Sequence, residues 1–142
     1  MTPVSAVGAE PGERIPREPQ DEYRSGRVIW MTSGQMDGPM PGEVAYGASK
    51  AALAGITPTV ASELLSRNII LNTINPGPVN TGYMDPETAD RPLDELQAMQ
   101  QTLPFGRFGE PADVGRLVAW LMSADARWIV GQVLTSDGGF RL

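Results

Sequence analysis

Two short runs of β-forming apolar residues, Val28 to Thr32 and Ile69 to Ile74, flank one long helical stretch, Val44 to Arg67. That spacing constrains the fold more than any other feature of the chain. Both runs are continuously apolar rather than alternating, as strands covered on both faces require. Strands joined through a helix lie parallel, and the connection is expected to be right-handed. Within the helix, residues 48, 52, 53, 56, 60, 61, 64 and 65 form one apolar stripe at helical spacing, and Pro58 is its weak point because it removes one backbone bond.

The second run ends abruptly at Asn75-Pro76-Gly77-Pro78, which cannot continue a ladder. A helix is expected over Leu93 to Leu103, and another opens at Glu110-Pro111-Ala112-Asp113 and runs to about Met122. Proline suits that first turn and acids suit its positive dipole end. Gln132 to Thr135 makes a last short strand before Asp137-Gly138-Gly139. Three strands make a narrow parallel sheet, so one edge is expected to need a further partner.

Residues 1 to 26 have a different character, with four prolines (3, 11, 16, 19) and eight charges but few large apolar side chains. They read as a disordered or loosely packed leader ahead of a single domain, 27 to 142. Composition excludes several function classes. The chain has no cysteine and no histidine, which removes disulfides, thiolate nucleophiles, Ser-His hydrolysis and most zinc chemistry; no metal site is expected. A net charge of -6 argues against a surface that tracks phosphates, so no nucleic-acid partner is expected. The longest useful apolar run, Leu117 to Met122, is far short of the roughly 18 residues of a membrane span. No secretory h-region opens the chain, and the expected location is the cytoplasm.

Acid-base chemistry is therefore left to Tyr, Lys, Asp and Glu. Tyr46 and Lys50 stand at i and i+4, on one face of the long helix and within reach of each other. A phenol titrates near ~10, and a fixed ammonium beside it favours the phenolate, which suits a general acid or base. Ser33 precedes Tyr46 by thirteen residues, at the carboxyl end of the first strand, where α/β sheets present ligand-binding groups. Its hydroxyl is placed to bond the same substrate oxygen.

Thr32-Ser33 followed by Tyr46-Gly47-Ala48-Ser49-Lys50 resembles the active site of the short-chain dehydrogenase/reductase superfamily, and in particular its 3-oxoacyl-acyl-carrier-protein-reductase-like members. Asn75-Pro76-Gly77-Pro78-Val79-Asn80-Thr81 resembles the family's Pro-Gly segment, and Gly106 to Val114 and Gly131 to Leu134 with Asp137-Gly138-Gly139 resemble its carboxyl-terminal blocks. The likeness covers Gly26 to Phe140, about four-fifths of this chain and the second half of a typical member. It implies a partial Rossmann-like, three-layer α/β/α fold with a mainly parallel sheet. It implies Tyr46 as catalytic acid/base, Lys50 as its activator and ribose contact, and Ser33 as the group orienting the carbonyl. Pro76, Gly77, Val79 and Thr81 would hold the nicotinamide end of NAD(P)(H), and hydride would pass between it and a carbonyl or alcohol substrate. Homo-oligomers, dimeric or tetrameric, are common to such proteins.

The pattern also departs from the family. The glycine-rich Thr-Gly-x-x-x-Gly-x-Gly turn, the Asn-Asn-Ala-Gly segment and the fourth catalytic residue, an asparagine upstream of the serine, have no counterpart; the first asparagine is Asn68. The amino-terminal βαβ half, which cradles the pyrophosphate, is thus missing, and the preference between NAD and NADP is unreadable. Each ~1.4 kcal/mol of lost contacts weakens binding tenfold, so the chain alone is expected to bind the dinucleotide poorly. The alternative reading is a truncated pseudoenzyme or oligomerisation module without cofactor binding of its own. Methionines 31, 36, 40, 84, 99 and 122 are expected mainly to fill core gaps, although Met36, Met40 and Met84 fall on loops around the substrate and point to a hydrophobic one.

Overall fold

A computed structural model describes residues 25–34, 38–89 and 91–142. The expectation for the leader falls, as far as Arg24, outside the described residues. The elements follow the order β1 (Gly26–Met31), α1 (Val44–Leu65), β2 (Ile69–Asn75), α2 (Leu93–Thr102), α3 (Pro111–Leu121), a 3-10 turn (Ala124–Ala126) and β3 (Val133–Thr135). The strands form one parallel sheet in the order β1-β2-β3, with Gly26 opposite Ile69, Met31 opposite Ile74, and Asn75 opposite Thr135. Among the described residues β1 and β3 are both edges, as a narrow sheet implies.

β2 is the centre of the molecule. Residues Ile70 to Asn75 are all buried, because neighbouring strands take the backbone on both sides and helices take the side chains on both faces. Successive side chains point to opposite faces. On one face Thr73 meets Thr57 of α1 through a buried hydroxyl pair at 2.7 Å, and Thr57 also donates to the Leu53 carbonyl. On the other, Ile74 packs with Val114 and Leu121 of α3 and with Ala126, joined by Ile29 and Leu134 of the flanking strands. The result is the expected α/β/α arrangement. Buried Asn72 fixes the approach to β3: its side-chain amide donates to the Ile129 carbonyl at 2.7 Å and its Oδ1 accepts from Gln132 N–H at 2.9 Å.

The helices start for different reasons. α3 has Pro111 in its first turn, and Asp113 reaches back to accept the Glu110 N–H at 2.9 Å. Asp113 also pairs with Arg107 at 2.8 Å and Arg116 at 3.2 Å. The Arg107 hydrogen bond, followed by the Glu110 N–H, lowers its carboxyl to about 2. α1 has no side-chain cap and no acid in its first turn, so it is held by packing. Pro58 lies inside it without interrupting it.

Two expectations about packing are corrected. The single stripe on α1 does not hold: Thr57 and Ala61 are buried, whereas Ala48, Ala52 and Ile56 are exposed. The helix is apolar on two adjoining rows, and only the row through Leu53, Thr57 and Ala61 meets the sheet. The methionines are not mainly core fillers either, since Met31, Met40 and Met122 are each more than a third exposed. They sit at a strand end, a loop and a helix end, where no second layer covers them.

Candidate active site

The carboxyl ends of β1 and β2 bring the candidate residues together, because parallel strands deliver both following loops to the same edge of the sheet. Two contacts clamp α1 onto β1 at that edge. Buried Thr32 donates its hydroxyl to the Lys50 carbonyl at 2.7 Å, and Lys50 Nζ donates to the Met31 carbonyl at 2.9 Å. The ammonium stands 5.6 Å from the centroid of the Tyr46 ring, one helical turn back. This confirms the spacing of the pair.

Ser33 and Tyr46 line one cavity of about 510 Å³, with Gly77 and Pro78 at its floor. Tyr46 is 43% exposed, and among the described residues its hydroxyl has no hydrogen-bond partner. Lys50 is outside the lining, on the strand side of the helix. The geometry thus presents a phenol and a serine hydroxyl to one space, with a cation one turn behind the phenol. Such a set can donate a proton and a second hydrogen bond to a single oxygen.

The Pro-Gly segment is shaped by its neighbours. Gly77 has φ +64, and a Cβ there would come within 2.4 Å of the Asp137 side chain, so only glycine lets the two loops close. Asn75 Oδ1 accepts the Gly77 N–H at 3.3 Å. Val79 forms a parallel bridge with Gly109, in which the Gly109 N–H donates to Pro78 and the Asn80 N–H donates to Gly109, each at 2.9 Å. Alternation along the strand then turns Val79's own amide to the opposite side. That outward amide fits a carboxamide-holding role at this end of the sheet. Pro76 and Val79 line a second cavity of about 290 Å³, and exposed Thr81 lines neither. The described residues include no glycine-rich phosphate cradle before β1.

The remaining wall of the large cavity contains Met40, Met84, Leu96, Met99 and Phe140, together with Glu43, Arg91 and Arg141. Met40 and Met84 therefore stand where their loops were expected to place them, while Met36 lies outside the described residues. Sequence reasoning missed the two arginines. Arg141 follows Phe140 just past the Asp137-Gly138-Gly139 turn, and only its place after that turn could have drawn attention to it. Among the described residues there is no cluster of metal-ligating side chains, and no helix is long and apolar enough to cross a membrane.

A family model described as enoyl-(acyl carrier protein) reductase matches residues 17–141. The chain is 43% identical over 117 residues to the oxidoreductase YjdA of Bacillus subtilis, covering 82% of this chain and 43% of that protein. It is 35% identical over 118 residues to the 3-oxoacyl-[acyl-carrier-protein] reductase FabG of Thermotoga maritima, covering 83% and 46%. Among solved structures it resembles the angucycline C-6 ketoreductase LanV with bound NADP, at 34% identity and a TM-score of 0.68, covering 82% and 42%. The chain spans about half the length of the curated relatives it matches.

Proposed function

The chain belongs to the short-chain dehydrogenase/reductase superfamily, and on that premise we propose that it forms the catalytic half of an NAD(P)-dependent oxidoreductase acting on a carbonyl or alcohol with an apolar body. The observation that carries this reading is the shared cavity onto which Ser33 and Tyr46 open, with Lys50 one turn behind. In the direction of reduction, Tyr46 gives its phenolic proton to the substrate oxygen, and Ser33 donates a hydrogen bond that orients the same atom. Lys50 lies close enough to the ring to stabilise the negative charge left there.

Pro76, Gly77, Val79 and Thr81 are the residues to hold the nicotinamide end; the outward amide of Val79 supports this for the carboxamide. The dinucleotide, when bound, supplies or accepts the hydride. NADP in the LanV structure supports a cofactor of this class. The pyrophosphate and adenosine contacts require groups beyond the described residues, so binding by this chain alone is weak. The absence of a membrane-crossing helix among the described residues suits a cytoplasmic setting.

Titration with reduced nicotinamide dinucleotide, followed by its fluorescence, tests the cofactor reading; a flat response at millimolar cofactor counts against it. Where turnover is obtained, Tyr46→Phe is expected to lower it by at least ~100-fold, the usual weight of a general acid. A second reading, an oligomerisation module, is favoured by one observation: Val44 and Ile56 of α1 are 82% and 46% exposed. It predicts stable oligomers without cofactor, and a monomer across the accessible concentration range removes it.

A further inference from the structure

The substrate cavity has a charged end that the proposed chemistry does not use. Arg141 reaches into its lining from the carboxyl-terminal tail and is pinned in place. Its Nη2 donates to the carbonyl of Gly34 at 3.3 Å, one residue beyond Ser33, and its guanidinium lies 4.7 Å from the Phe140 ring centroid. Gly38 makes room for it, since a Cβ at that position would stand 2.6 Å from a guanidinium nitrogen.

A guanidinium carries five N–H donors in a planar fork, and one printed bond to a carbonyl leaves most of that fork unspent. Among the described residues Arg141 has no ion pair, and the ion pairs there join Arg107 and Arg116 to Asp113. Of the two acids in the lining, Asp137 is held in its own turn by the Gly139 N–H at 2.9 Å, and Glu43 makes no ion pair. Arg91 adds a second exposed cation to the same cavity. A pre-positioned fork matches a carboxylate, which takes two parallel hydrogen bonds, better than it matches any neutral group.

We propose that the substrate is a keto acid or hydroxy acid, an apolar carbonyl or alcohol compound bearing a carboxylate that Arg141 receives. This rests on the reading of the cavity as the substrate site. Arg141 is thereby a specificity residue, and the methionines and Phe140 cover the body of the ligand between the two polar ends.

The test compares 5-oxo-5-phenylpentanoate with its methyl ester, titrated onto the chain and followed by ligand-observed NMR. The acid is expected to bind about tenfold tighter than the ester. Arg141→Gln brings the two within about twofold, while Arg67→Gln, outside the cavity, preserves the preference. Raising salt to about 0.5 M weakens the acid but not the ester, a readout that needs no variant and so survives poor folding of the substituted chain. Equal binding of acid and ester to the folded wild-type chain overturns the carboxylate assignment and leaves the cavity reading standing. Failure of both ligands to bind overturns the two together.

Discussion

β2 and α1 are both rich in apolar residues, yet they end in opposite circumstances. Six consecutive residues of β2 are buried, whereas α1, 22 residues long, buries only Thr57 and Ala61. A central parallel strand is enclosed by its own sheet and its two helical layers, so every side chain has cover. A helix in an outer layer has one row against the sheet and the rest facing outward. An apolar row on the outside of α1 therefore has no intramolecular purpose, and it points to a surface that another polypeptide covers.

The largest expected effect lies in the strand. Ile74→Ala should cost about 2–5 kcal/mol in denaturant unfolding, because its fully buried side chain joins β1, β3 and α3 in one cluster. A loss under 1 kcal/mol, on the order of a surface change, would break the contrast with α1. Next comes the single polar tie between the two elements. Thr57→Val keeps the volume but strips Thr73 of its hydroxyl partner in a buried setting, with an expected loss of about 1–3 kcal/mol. Stability equal to wild type would show that packing alone holds α1.

The outer row gives a smaller stability change and a different readout. Ile56→Lys should alter chain stability by no more than about 0.5 kcal/mol, yet shift sedimentation toward the monomer. Oligomers that persist unchanged would remove the second reading of this face.

Smallest is the electrostatic start of α3, the counterpart to the uncapped α1. The carboxyl of Asp113 is lowered to about 2 in the folded chain from an ordinary value near 3.8. Its contribution is present above the ordinary carboxylate range and is lost as pH falls through about 2. Asp113→Asn should flatten acid-unfolding curves in that window, and added salt should shrink the difference because the pair is open to solvent. A steeper acid limb in the variant would contradict the sign.

The strand runs, the long helix and the Glu110-Pro111 helix start were legible from residue spacing alone, because period and turn chemistry are local properties. The Tyr46, Lys50 pair was legible for the same reason, since i and i+4 meet on any helix. Which apolar row of α1 faces the sheet was not, because about 100° per residue leaves two adjoining rows equally apolar until a strand picks one. The methionines were misjudged similarly: their chemistry suits a core, but Met31, Met40 and Met122 stand where the layers end.

What the chain determined unaided was the succession of elements and the identity of the groups able to move a proton. With no histidine or cysteine, a tyrosine beside a lysine was the strongest candidate left. Tertiary structure alone decided that Ser33 shares a cavity with Tyr46, that Asp137 leaves Gly77 no space for a side chain, and that Arg141 closes onto Gly34 from 107 residues away. Contacts of that separation arise from three parallel strands ending at one edge, and no short window of sequence contains the sheet that aligns them.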